Sequence, residues 1–341
     1  MFNKIEHKKY YSISLLLSTK KRKNFESLGL ESGISGDKIA QLVTDNAITA
    51  NDLIALAQRM FGRKKVYLLI DDTLILKTYS RVIEGTSDNY SSSEKRMYRS
   101  FCSVVAMLTD GITAIPIDQQ IWTSKEFTSS EYKRKWELAQ DLILYLKQKI
   151  DIKCVILDGL YAVDEFIKWL NEQEVFFEMR FHSNRVISKN GVKAQIKKHS
   201  ALRLMRGRSR RTIKAFWKET PLYFTALKRQ LANGYFTTVF QVSNFKANSS
   251  EHVKLYGYRW NIEKFFRTAK QYLGLNDCQS RKIERQKGHV LQVFIAYALA
   301  QYERVKSKLK NVETAIKSIK LQNSRQSNYA INRLRGIFFN F

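Results

Sequence analysis

Proline is nearly missing from this chain of 341 residues; only Pro116 and Pro221 occur. No stretch rich in Pro, Gly or Ser marks a linker, so boundaries must be read from changes in hydrophobic pattern. Cysteine is equally sparse. Cys102, Cys154 and Cys278 are odd in number and far apart, which argues against a disulfide framework or a cysteine zinc site and for a reducing compartment. Long apolar runs are lacking too: the best, residues 290–300, contains Gln292 and falls short of the ~18 residues of a membrane span. The opening MFNKIEHKKYYS carries charge without the apolar core of a signal peptide, so a cytoplasmic protein with no membrane partner is expected. The five histidines, His7, His182, His199, His252 and His289, show no metal-ligand spacing. Negative charge is also scarce, with 31 acids against 59 lysines and arginines and a formal net charge of +28. Hydrophobic residues at 44% and aromatics at 12% still allow a core, which excludes a disordered polycation.

What is present is charge of one sign, and it is concentrated. Residues 183–250 hold 15 lysines and arginines against the single acid Glu219. The densest part, LRLMRGRSRRTIK, brings Arg203, Arg206, Arg208, Arg210 and Arg211 together. Such a block repels itself unless a polyanion opposes it, so contact with nucleic acid phosphates is expected rather than a merely solvated face. Phe216, Trp217, Tyr223 and Phe224 interleave with the charge, as a surface that stacks on bases would require, and Trp217 is the best candidate for stacking. Each of these aromatics can equally be core.

The hydrophobic pattern predicts an N-terminal set of short helices over residues 25–61, broken near Gly33 and Gly36, with Thr49 or Asn51 as a helix cap. From residue 65 it changes to short strands: 66–70, then 100–108 and 112–122 joined at Asp110-Gly111, then 153–157 and 175–181. Helices are expected over 129–149 and 161–171. Three strands followed by alternating helices and strands imply a mixed sheet.

Two of these strands end in aspartate, Asp71-Asp72 after the first and Asp158 after the fourth. A carboxylate at the end of a buried strand is a rigid oxygen donor, although aspartate also ends strands as an ordinary turn former. In LYGYRWNIEKFFRTAKQYLGL, Tyr256, Arg259, Glu263 and Lys270 follow at spacings of three, four and seven, which places all four in one arc of a helix. Singly, Arg259 and Glu263 could be a surface i,i+4 pair.

With these residues the chain resembles the DDE transposases of bacterial insertion sequences, in particular the IS-four group with its Tyr-x2-Arg-x3-Glu-x6-Lys motif, over about residues 60–305. The resemblance implies an α/β fold with a ribonuclease-H-like mixed sheet flanked by helices, interrupted by a β-rich insertion, and a small N-terminal helical domain. The expected divisions are an N-terminal DNA-binding region (1–62), a first core part (63–184), the basic insertion (185–252), a second core part with the Glu helix (253–305) and a helical tail (306–341). It further implies metal-dependent cleavage and strand transfer of double-stranded DNA at terminal inverted repeats and target. Asp158, Glu263 and one of Asp71 and Asp72 would hold two Mg²⁺ ions, with Mn²⁺ as substitute. Either neighbour can serve, and Asp72, immediately before Thr73, is preferred. Tyr256, Arg259 and Lys270 would hold phosphates, and Arg206, Arg208, Arg210 and Arg211 would grip flanking DNA. The alternatives are a catalytically inactive transposase kept as a DNA-binding protein, and a nuclease or resolvase on the same core. Self-association on two DNA ends is expected, with the tail residues Ile337, Phe338, Phe339 and Phe341 contributing.

Overall fold

In the computed structural model, residues 4–325 and 332 are described, apart from 20, 46–47, 63, 81, 92–93 and 126–131. The tail residues Ile337, Phe338, Phe339 and Phe341 lie outside the described residues. Four helices open the chain: α1 (Lys4–Ser18), α2 (Phe25–Ser32), α3 (Gly36–Asp45) and α4 (Ala50–Phe61). Asn24 caps α2 by accepting from the Ser27 amide at 2.8 Å, and Gly33 ends it in the left-handed region. At α4, the Asp52 carboxylate accepts from the Thr49 amide at 2.8 Å, half of a capping box.

The sheet strands follow: β1 (Val66–Leu76), β2 (Ser87–Ser91), β3 (Arg96–Thr109) and β4 (Ala114–Trp122). After them come α5 (Lys135–Lys147), β5 (Ile152–Leu157), α6 (Asp164–Glu172) and β6 (Phe177–Phe181). Parallel pairing of β1 with β5, and of β5 with β6, makes the centre of the sheet, while β3 runs antiparallel to β1 and β4 antiparallel to β3. The expected first strand stopped at Ile70. Instead β1 continues to Leu76, so Asp71 and Asp72 lie inside a strand and not at its end. Of the expected helix over 129–149, the first residues lie outside the description, and Tyr132 precedes α5 without belonging to it. The β3–β4 turn needs Gly111, which has φ of +94°; a Cβ there would come within 2.8 Å of the Tyr258 ring.

The basic segment forms β7 (Val186–Lys189), β8 (Val192–Gln195), β9 (Arg210–Trp217), β10 (Thr220–Gln230) and β11 (Phe236–Ser243). It does not stand apart, because β11 pairs antiparallel with β6 and extends the same 11-stranded sheet. The chain then returns through α7 (Ser249–Gly257), α8 (Trp260–Tyr272), α9 (Ile283–Lys306) and α10 (Val312–Arg325). Helix α9 is buried over most of its length, with α1, α3, α4, α10 and β4 packed around it. Its Gln292 donates to Ser12 of α1 at 2.7 Å, and Gly288 lets Val43 of α3 approach closely. The N-terminal helices therefore share one hydrophobic core with the sheet, where a free-standing bundle would have its own. None of the described helices is long and apolar enough to cross a membrane.

Candidate active site

Side chains alternate between the faces of a strand, so consecutive aspartates on β1 must diverge. Asp71 turns toward α8, where its carboxylate accepts from Arg259 Nη1 at 2.9 Å. Asp72 turns to the other face and accepts from Lys135 Nζ of α5 at 2.7 Å and from the Cys102 thiol at 3.3 Å. Asp71, and not the preferred Asp72, is the member of the pair that meets the other acids. Register supplies the second carboxylate. Ile70 pairs with Leu157 across the parallel β1–β5 ladder, so Asp158, one residue beyond β5, emerges beside Asp71.

The third carboxylate comes from α8. The Tyr-Arg-Glu-Lys stretch is not one unbroken helix, because α7 ends at Gly257 and α8 begins at Trp260. Glycine weakens a helix at that point. Arg259 nevertheless keeps right-handed helical angles (φ −53°, ψ −29°), so Tyr256, Arg259 and Glu263 stay on nearly one side. Arg259 pairs with Glu263 one turn on, with Asp71, and at 4.0 Å with Asp158. One guanidinium is thus shared by three carboxylates from β1, β5 and α8. The Tyr256 hydroxyl donates to Asp158 at 3.3 Å.

Burial raises the Asp71 carboxyl to about 7, and the negative charges of Asp72 and Asp158 add to the rise while Arg259 opposes it. Burial acts to lower the Arg259 pKa, but Tyr256, Asp71, Asp158 and Glu263 together hold it above its ordinary value. Tyr256 is raised chiefly by burial, against the pull of Arg259. The buried Nε of Arg259 has no partner, so the guanidinium retains an unused donor. The donor set is all oxygen and carries more negative charge than one guanidinium neutralises, which fits Mg²⁺ or Mn²⁺. Among the described residues no group of three His, Cys, Asp or Glu is spaced to hold an ion.

The other expected site residues are more dispersed. Lys270 is on α8 seven residues past Glu263, about 10 Å along the axis. Its pKa is lowered by burial, and Glu94 and Cys102 are the charges that act on it. Arg206, Arg208 and Arg210 are exposed and Arg211 half-buried at the start of β9, and none of the four forms an ion pair among the described residues. The stacking role expected of Trp217 is corrected. Only 7% exposed, it packs edge-on against Phe181 at 5.3 Å and lies under Arg185. Its neighbour Phe216 points outward instead.

Two residues near the acids escaped the sequence reading. Lys135 opens α5 and holds Asp72; a lysine in the first turn of a helix carries no local sign of a distant partner. Tyr161, in the short 3₁₀ turn after Asp158, is buried with an unpartnered hydroxyl, and its pKa is raised by burial and then by Asp72 and Asp71. Its position three residues after Asp158 was the available signal.

Comparison with protein families decides the broader question. A transposase DDE domain matches residues 62–299, more than half of the chain. The chain is a member of the DDE transposase family. Among curated proteins no match was found. As a DDE transposase, it carries the family's ribonuclease-H-like fold in the mixed sheet that places β1 beside β5. The match starts at Gly62, directly after α4, and ends inside α9, so it takes in all three carboxylates and the basic strands.

Proposed function

We propose that this DDE transposase belongs to the IS-four group and that it cuts and joins double-stranded DNA at the ends of an insertion sequence. The observation that carries the reading is the meeting of Asp71, Asp158 and Glu263 on one cation, Arg259. The Tyr-Arg-Glu-Lys spacing of residues 256, 259, 263 and 270 supports the group. Asp71, Asp158 and Glu263 would hold the two Mg²⁺ ions, for which Mn²⁺ is a substitute. Bound there, such ions would activate the attacking oxygen and stabilise the leaving one.

The protein's own groups supply position and charge. Tyr256 fixes the orientation of Asp158 through its hydroxyl. Arg259, when it leaves the carboxylates, presents a planar fork of donors to a phosphate beside the reacting bond. Lys270 adds a point charge about 10 Å further along the same helix. Arg206, Arg208, Arg210 and Arg211 extend the grip to backbone away from the acids, at the terminal repeat or the target. Both hydrolysis of the element's end and transfer of its 3′-hydroxyl are attacks of an oxygen on a phosphorus, so one set of acids serves both. Two ends have to be processed together, so the active form is a pair of chains on two DNA ends.

Asp158→Asn and Glu263→Gln keep shape and remove charge. Each is expected to abolish Mg²⁺-dependent cleavage of DNA carrying the element's ends while end binding persists. Cleavage at the wild-type rate by either purified variant would overturn the assignment. Binding without cleavage by the wild-type protein would favour the inactive, repurposed alternative.

A further inference from the structure

A cleft of about 250 Å³ opens between α8, the end of α9, the start of α10 and Ile112 of the β3–β4 turn. Lys264, Arg267, Arg304 and Lys310 line it. None of these four pairs with a carboxylate among the described residues. Glu313 is the one acid of the lining, and it is engaged by the Thr268 hydroxyl at 2.5 Å. Arg304 is held in place: its Nε donates to Gln301 at 2.8 Å, and its Nη2 reaches the carbonyl of Ile112 in the β3–β4 turn at 3.4 Å. Four cations from three stretches of chain, set around a concavity with a single carboxylate, leave an excess of positive charge that an anion would relieve. Val312 and Glu313, in the first turn of α10, line the same cleft, and a helix N-terminus carries partial positive charge.

The cleft does not belong to the acid centre. Lys264 follows Glu263 by one residue and therefore points about 100° around the helix from it. Arg304 lies in α9 and Lys310 between α9 and α10, whereas Asp71 lies in β1 and Asp158 just beyond β5. The cleft and the acids nevertheless share α8, with Lys264 next to Glu263 and Arg267 one turn on, so one duplex lying along this helix would pass both.

We propose that this cleft is a second phosphate-binding site, and that its ligand is the backbone of duplex DNA lying beside the acid centre. The inference rests on the transposase reading above and adds to it a contact that neither the acids nor the basic strands provide. The shared chemistry is a phosphate, and the free inorganic anion is the competing source.

The test measures binding of a fluorescein-labelled 20-base-pair duplex by anisotropy across a salt series, for the whole wild-type chain and for Arg267→Ala/Lys310→Ala. Both residues are exposed, so the fold is retained; equal thermal midpoints check this. Losing two phosphate contacts should flatten the log–log salt slope by about 2 and weaken binding roughly 10–100-fold at low salt. The charge-keeping pair Arg267→Lys/Lys310→Arg should restore the slope. An unchanged slope and affinity in the alanine variant, with the wild type binding DNA, would overturn the cleft alone. Failure of the wild type to bind any duplex would overturn the transposase reading and the cleft with it. If pyrophosphate raises the wild-type melting temperature but not the variant's, and DNA binding is equal in both, the ligand is a free anion and the DNA assignment fails.

Discussion

Asp71 and Asp72 are adjacent and chemically identical, yet they sit in opposite environments. Asp71 joins Asp158, Glu263 and Arg259 beneath α8; Asp72 lies across the sheet between Lys135 and Cys102. Nothing in composition separates them. The difference comes from the strand, whose alternation sends neighbours to opposite faces, and from what each face packs against. Proximity of acids in sequence therefore says little about shared chemistry, whereas Asp71 and Asp158, far apart along the chain, are side by side through the β1–β5 ladder.

The largest expected effect tests that contrast directly. Asp71→Asn should reduce cleavage in Mg²⁺ to background, while Asp72→Asn should retain it within a few-fold. Rates of nicking at a labelled element end would decide. A dead Asp72→Asn protein with normal folding, beside an active Asp71→Asn protein, would reverse the assignment of faces.

The next largest effect concerns the two counter-cations. Arg259 serves three carboxylates and is mostly shielded, so Arg259→Ala leaves acid opposing acid and should cost about 3–5 kcal/mol in metal-free buffer. Lys135 pairs with one carboxylate, Asp72, and is partly exposed, so Lys135→Ala should cost only about 1 kcal/mol. Urea denaturation with EDTA measures both. Adding Mg²⁺ should recover stability for Arg259→Ala and leave Lys135→Ala unmoved; equal responses would mean that the two faces do not differ in their affinity for cations.

The features that were legible in the sequence are those written in local periodicity. The spacing of Tyr256, Arg259 and Glu263 marks one side of a helix without reference to the rest of the chain, and it survives the break at Gly257 because Arg259 keeps helical angles. The Asp110-Gly111 turn and the buried run at residues 154–157 are local in the same sense. The choice between Asp71 and Asp72 was not. Two charged residues after VYLLI look like the end of a strand, and only pairing with β3 as far as Leu76 carries the strand past them. Trp217 misled for a related reason. Its charged surroundings suggest a surface, but the alternation on β9 buries Ile213, Ala215 and Trp217 together and leaves Lys214 and Phe216 outside. Lys135 and Tyr161 depend on tertiary placement throughout.

A smaller effect is one of pH. The Asp71 carboxyl titrates near 7 in the folded protein, against an ordinary value of 3.8. Between those values the folded state holds a proton that the unfolded state has released, so this group's contribution to stability is full below about pH 4, falls as pH rises toward 7 and levels off above it. Asparagine at position 71 removes that proton uptake. In EDTA, Asp71→Asn should lose about 1–3 kcal/mol less than wild type between pH 5 and 7.5. Parallel pH profiles for the two proteins would mean that Asp71 does not titrate in this window.

The smallest effect belongs to the Asp72 face. Cys102 is fully buried on β3, and burial, then the charge of Asp72, pushes its thiol up to about 12, against the pull of Lys135. Thiolate is the reactive form, so native Cys102 should resist iodoacetamide at pH 8. Asp72→Asn removes one of the negative charges that disfavour thiolate and should speed alkylation of Cys102 a few-fold, as followed by peptide mass spectrometry. Asp71→Asn, on the other side of the sheet, should leave the rate unchanged. Burial remains the dominant cause, so the increase has to be small; a large increase would signal opening of the β1–β3 pair, and the unfolding rate of the same variant would then rise with it. A Cys102 rate that responds equally to both substitutions would mean that the sheet does not insulate one aspartate from the other.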